Sequence, residues 1–194
     1  MSHCRFCQTE LKNSLIDLGD QPLANSYLKT RDQAEKHYPL QATVCTKCFL
    51  VQVDDVVPAE EIFGDYAYFS SFSETWLEHS KRYALAMQTR FALDRSSKVV
   101  EVASNDGYLL QYFVAERIPA LGVEPAANIA EFARQKGVPT ETEFFNAETA
   151  QRLLDAGHGA DLMIANNVLA HVPDINGFVQ GFQVLLNQDG VLTI

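Results

Sequence analysis

Cys4-x-x-Cys7 and Cys45-x-x-Cys48 are the only cysteines in the chain. A C-x-x-C turn brings two thiolates to one side of a metal ion, and two such turns complete a tetrahedral four-sulfur shell. That shell has no open position, so its work is structural rather than catalytic. Zn²⁺ is the expected occupant; iron in an S4 site uses the same spacing and stays open as the alternative. Two disulfides would need an oxidising compartment. The N-terminus, MSHCRFCQTE, lacks an apolar secretory stretch. A thioredoxin-type redox pair would use one such turn, not two matched ones. The expected setting is the cytoplasm.

A second group of reactive side chains comes later. Glu101-Val102-Ala103-Ser104-Asn105-Asp106-Gly107 closes one apolar run, and Gly122-Val123-Glu124-Pro125 closes the next. In an open parallel sheet, ligands sit beyond the carboxyl ends of the strands, near the switch point. A carboxylate such as Glu124, at the end of the second strand, suits ribose hydroxyls. A nicotinamide dinucleotide would need G-x-G-x-x-G, and here only Gly107 is present. Asp106 would also set a negative charge where a phosphate wants a helix N-terminus. S-adenosylmethionine has no phosphate and carries a positive sulfonium. Glu101, Ser104, Asn105, Asp106, Gly107, Glu124 and Pro125 are therefore candidate cofactor-binding residues. The plainer reading has Glu124 and Asp106 only capping the helices that follow them.

Composition agrees with a soluble globular protein: 194 residues, 47% hydrophobic and 21% charged, with a formal net charge of −10. An acidic chain without a basic tract is a poor nucleic-acid binder, whatever its zinc site suggests. No apolar run reaches the length of a membrane span.

The elements that must position these groups fall into three stretches. Residues 1–57 read as a small β-rich zinc-binding lobe, with short strands at Ser14–Leu18, Leu40–Val44 and Phe49–Val53. Residues 58–95 read as a helical connector. It opens with the aromatic and hydroxyl-rich segment Asp65-Tyr66-Ala67-Tyr68-Phe69-Ser70-Ser71-Phe72-Ser73. Ser71 and Glu74 have capping-box spacing. Trp76, Tyr83, Met87 and Phe91 then mark one helical stripe, suited to core packing. Residues 96–194 alternate strand and helix: strands at 98–103, 120–123, 140–145, 161–166 and 191–194, with helices between. This pattern predicts a parallel sheet covered on both faces. The fifth strand coincides with the chain end, and a fragment of a longer protein is expected.

The zinc lobe, Tyr-x-Tyr-Phe-Ser-Ser, Glu-Val-Ala-Ser-Asn-Asp-Gly-Tyr-Leu-Leu, Gly-Val-Glu-Pro-Ala-Ala-Asn and Ala-Asn-Asn-Val-Leu-Ala-His-Val-Pro-Asp together resemble the zinc-containing sugar C-methyltransferases. The resemblance spans the whole chain and implies methyl transfer from S-adenosylmethionine to C-3 of a nucleotide-linked 4-keto-deoxysugar. It implies the α/β class: zinc lobe, connector, and a Rossmann-like class I methyltransferase sheet ending after its fifth strand. It places Asn166 near the methionine moiety of the cofactor, Tyr66 in a substrate-contacting segment and His171 in the active-site pocket. His171 and Tyr66 are thus the candidate catalytic residues. Family members continue past the fifth strand into a Tyr, Glu and His cluster, so the 194-residue chain alone is expected to be inactive. Two other readings remain: a catalytically inactive zinc- and cofactor-binding module, and a small-molecule O- or N-methyltransferase. The latter leaves the aromatic segment unexplained.

Overall fold

The computed structural model describes residues 2–54, 57–63 and 66–194. It divides into two compact units: Met1–Ala67 with Pro173–Asn176, and Tyr68–Val172 with Gly177–Ile194.

The first unit is a three-stranded antiparallel sheet in the order β1-β2-β3, with β1 at Asn13–Pro22, β2 at His37–Val44 and β3 at Val51–Val53. A short helix, α1, follows at Ala59–Phe63. Every residue of β1 is exposed. Among the described residues of this unit, the buried apolar ones are Cys4, Cys45 and Val57. So small an apolar interior cannot offset the conformational entropy of ordering the lobe.

The second unit begins with an 18-residue helix, α2, at Glu74–Phe91. Its N-cap is Ser73, whose Oγ accepts from the Trp76 N–H at 3.3 Å. The expected capping box at Ser71 does not form, because Ser71 lies in a 3-10 turn, Ser70–Phe72, and its hydroxyl is used elsewhere. Trp76, Tyr83, Met87 and Phe91 do face the core, as their spacing implies.

A five-stranded parallel sheet follows: β4 (Val99–Val102), β5 (Ala120–Val123), β6 (Thr140–Glu141), β7 (Ala160–Ile164) and β8 (Leu186–Thr193), in the order β6-β5-β4-β7-β8. Helices α3 (Gln111–Ala115), α4 (Ala127–Gln135), α5 (Ala147–Asp155) and α6 (Ile175–Leu185) alternate with the strands. β4 and β7 lie inside the sheet and are covered on both faces, which is why they read as apolar runs without alternation. β6 is shorter than its sequence suggests. Pairing of β8 with β7 breaks after Leu186 and resumes at Val191.

The two faces bury separate clusters. Val100, Val102, Leu121, Val123 and Met163 pack with Phe145, Phe178, Phe182 and Leu185. Val99, Leu162 and Ile164 pack with Leu109, Leu110, Phe113 and Ile118. Strand alternation puts Glu101 on the face of Val99, inside the sheet, at 1% exposure.

Candidate metal centre and cofactor site

Cys4, Cys7, Cys45 and Cys48 have their Sγ atoms all within 4.8 Å of one another, and the Cys4–Cys48 and Cys7–Cys45 pairs are at 3.5 Å. A tetrahedral zinc with bonds of 2.3 Å has sulfur–sulfur edges of about 3.8 Å. The donor set fits the metal in chemistry and in size.

Two copies of one local structure build this site. Cys4 N donates to Thr9 O at 2.8 Å and Gln8 N to Cys4 O at 2.9 Å; Cys45 N donates to Leu50 O and Phe49 N to Cys45 O, both at 3.0 Å. Gln8 and Phe49, at matching places, are left-handed at φ 60° and 63°. His3 bridges Glu10 just as Val44 pairs with Val51, so each knuckle is the tip of a hairpin. Supporting bonds come from Gln52 Nε2 to Cys4 Sγ at 3.3 Å and Lys47 N to Cys45 Sγ at 3.4 Å.

Burial resists ionisation of Cys4, but the Cys7 N–H, the Gln52 amide and the Phe6 N–H outweigh it and lower the thiol to about 6. The Thr9 hydroxyl and N–H lower Cys7. At Cys48 the Leu50 N–H acts downward, yet burial and the neighbouring sulfurs raise it to about 12. Four sulfurs this close cannot all ionise by themselves, and a dication between them removes that conflict.

The other site lies at the carboxyl ends of β4 and β5. Glu124 is buried, and its two oxygens accept from Asn105 N and Ala126 N, each at 2.9 Å. It therefore holds Ala126, the residue before α4, and ties the β4 loop to β5; α4 itself has no side-chain cap, so Glu124 is not a helix cap. Burial raises its pKa, against the pull of the two N–H groups.

The loop runs tight against the sheet. Ala103 and Asn105 are left-handed at φ 56° and 48°, and Gly107 at φ 74°. A Cβ on Gly107 would stand 2.9 Å from Val138 Cγ2, so glycine is required there for both torsion and space. Gly122 similarly leaves room for Ser104.

Glu101 Oε1 and Oε2, Ser104 Oγ and Asp106 Oδ1 are buried without a hydrogen-bond partner among the described residues. Burial drives the Glu101 pKa well above the carboxylate range; the Tyr108 hydroxyl acts downward, and the charges of Glu124 and Asp106 add to the rise. Tyr108 is itself raised, chiefly by burial and then by Glu101, with Asn166 acting downward. Buried polar atoms left without partners are costly unless a ligand brings donors or positive charge. That donor set fits S-adenosylmethionine and opposes a phosphate.

Asn166 is half-buried after β7 and shares the Tyr108 environment. Pro125 is half-buried after Glu124. His171 is exposed at the end of a 3-10 turn, Leu169–His171, on the loop after β7. Tyr66 belongs to the first unit, where its hydroxyl accepts from Asn25 Nδ2 at 3.3 Å and its ring lies 5.5 Å from Phe63. Asp65, which opens the aromatic segment in the sequence, lies outside the described residues.

Sequence reasoning missed Lys136, which lies 3.2 Å from Asp106 Oδ2 and 2.9 Å from Ser71 Oγ. Its position just before Gly137 marks it as a helix end and nothing more. No helix among the described residues is long and apolar enough to cross a membrane.

Known proteins match both units. Residues 4–63 match a family described as "Putative zinc binding domain", and residues 100–192 match one described as "Methyltransferase domain". The chain is 30% identical over 196 residues to C-methyltransferase NovU of Streptomyces niveus, covering 100% of this chain and 47% of that protein. It is 25% identical over 101 residues to a ubiquinone biosynthesis O-methyltransferase of Bartonella bacilliformis, covering 50% of this chain and 40% of that protein. A solved structure, the amino pentose methyltransferase CalS10 of Micromonospora echinaspora bound to S-adenosylmethionine, overlays with a TM-score of 0.49 at 19% identity, covering 66% of this chain and 56% of that one.

The family matches and the four-sulfur cluster define a zinc-binding lobe followed by a methyltransferase domain. More narrowly, the chain is a homologue of the C-methyltransferase NovU, and it spans about half the length of that relative.

Proposed function

We propose that the protein methylates C-3 of a nucleotide-linked 4-keto-deoxysugar. The observation that carries this reading is the similarity to a C-methyltransferase across the whole chain, zinc lobe and sheet alike. The family motifs quoted from the sequence supply the substrate class. The functional parts are the zinc-binding lobe 1–57, the connector 58–95 with its substrate-contacting segment, and the cofactor-binding domain 96–194.

S-adenosylmethionine, when bound, supplies an electrophilic methyl group on a sulfonium. Glu124 takes the ribose hydroxyls with its remaining lone pairs. Glu101, Ser104, Asn105, Asp106 and Gly107 form the wall beside the methionine part, with Pro125 and Asn166 at the adjoining strand ends. Asp106 places negative charge toward a cationic ligand, which favours it over its neutral product.

Methylation at carbon needs a nucleophilic carbon. The C-4 ketone acidifies the C-3 proton of the sugar. His171 removes that proton through an imidazole nitrogen. The electron pair moves onto the C-4 oxygen as an enolate, which a hydrogen-bond donor stabilises.

Incubating the protein with such a sugar nucleotide in D₂O tests the reading. With the chain extended to the full length of its relative, deuterium is expected at C-3 and a methylated product once S-adenosylmethionine is added; the 194 residues alone are expected to give neither. His171→Gln is expected to slow the exchange by about 10²–10⁴-fold. A methylated oxygen or nitrogen on the sugar, with no C-3 exchange, would overturn it.

A further inference from the structure

Asp106 has 0% exposure, yet three donors crowd one of its oxygens. Lys136 Nζ is 3.2 Å from Oδ2, Ser71 N is 3.4 Å from it, and the Ser71 hydroxyl bonds the same atom. Lys136 Nζ also reaches Ser71 Oγ at 2.9 Å. A buried carboxylate needs such pairing, and removing one partner leaves a charge in the interior. An exposed ion pair would carry no such weight.

The neighbouring loop residue holds the same segment from the other side. Asn105 Oδ1 accepts from Ser70 N at 2.9 Å, and Asn105 Nδ2 donates to Tyr68 O at 3.2 Å. The Asn105 N–H in turn donates to Glu124. An aromatic stack adds to the attachment: Phe69 lies 5.2 Å from both Phe72 and Phe132, and Lys136 Nζ sits 4.5 Å from the Phe132 ring centre. Phe132 and Lys136 are four positions apart at the end of α4, so one helix face presents both.

We propose that Lys136 is a positioning residue that clamps residues 68–72 onto the loop after β4, coupling order in that aromatic segment to occupancy of the cofactor site. The coupling part rests on the cofactor reading given above. The physical link is short. The segment bonds to Asn105 and Asp106, and those two residues form the wall against which the cofactor lies. A ligand that fixes the loop fixes the segment, and by reciprocity an ordered segment strengthens the ligand. The enzyme thereby presents its substrate-facing aromatics only when the methyl donor is in place.

Hydrogen exchange of the 66–73 peptide, read by mass spectrometry with and without S-adenosylhomocysteine, tests this alongside calorimetric binding of the same ligand. In the parent protein the ligand is expected to slow exchange at Ser70 and Ser71. Lys136→Met is expected to speed their exchange at least tenfold without ligand and to weaken ligand binding about fivefold. Lys136→Arg is expected to restore both. Ser71→Ala removes the hydroxyl without stranding a charge, so it keeps the test alive if Lys136→Met folds poorly; it is expected to shift both readouts in the same direction by a smaller factor. Unchanged exchange in both Lys136→Met and Ser71→Ala overturns the clamp while leaving the cofactor reading intact. Faster exchange with undiminished affinity overturns the coupling. A parent protein that binds no S-adenosylhomocysteine overturns the coupling and the cofactor reading together.

Discussion

The two units of this chain are held together by different physics. The second unit buries a continuous apolar layer on each face of a parallel sheet. The first offers an exposed ten-residue strand and an interior in which, among the described residues, two of the three buried apolar ones are metal-ligating cysteines. One unit folds because its side chains leave water, and the other because four sulfurs share an ion. Metal binding energy is then folding energy for the first unit and irrelevant to the second.

The widest separation between the two comes from removing the metal. Structural zinc sites supply about 10–16 kcal/mol in small domains, so a strong chelator, or Cys45→Ser, is expected to unfold the first unit. Hydrogen exchange read by mass spectrometry checks this: β1 and β2 should lose protection while β4 and β7 keep theirs. Loss of protection in β4 at the same chelator concentration would erase the contrast.

A core truncation makes the complementary cut. Phe182 is 2% exposed and packs against Phe145 and Phe178. Phe182→Ala should cost about 3–5 kcal/mol in urea unfolding of the second unit. Leu15→Ala, in exposed β1, should change stability by less than about 0.5 kcal/mol. Equal effects would mean that β1 is covered in solution.

Within the second unit, Glu124→Ala is expected to weaken S-adenosylhomocysteine by roughly 1.5–3 kcal/mol, the range for hydrogen bonds to a charged group. Calorimetry measures it, and unchanged affinity removes Glu124 from the site. Because Glu124 also joins the β4 loop to Ala126, a fall in thermal stability should accompany the lost affinity.

The smallest effect is one of pH. Glu101 holds its proton more tightly folded than unfolded, because burial raises its pKa. The native state therefore binds more protons above the ordinary glutamate range, and stability falls as pH rises from there toward the raised folded value. Glu101→Gln, compared with the parent in urea titrations from pH 4 to 8, should flatten that decline. Parallel curves for the two proteins would show that Glu101 is ionised in the fold.

Much of this was legible in the residues. Cys4, Cys7, Cys45 and Cys48 announce their geometry by spacing, because a C-x-x-C turn is local. The strands at 99–102 and 120–123 and the helix at 147–155 follow from apolar runs and their punctuation. The stripe from Trp76 to Phe91 follows from helical periodicity. Ser71 is where local reasoning went astray: its spacing to Glu74 fits a cap, yet Ser73 caps the helix and Ser71 turns to Asp106.

The sequence by itself determined which groups could do chemistry, since composition and short-range spacing depend on covalent geometry and local hydrogen bonds. The tertiary structure decided which of them meet. Ser71, Asp106 and Lys136 are 30 or more positions apart and come together only after α2, the β4 loop and α4 have packed. The same packing turned Glu101 inward, leaving it with a raised pKa and two orphaned oxygens. No period or motif carries that information, because it arises from burial, a property of the folded neighbourhood rather than of the chain.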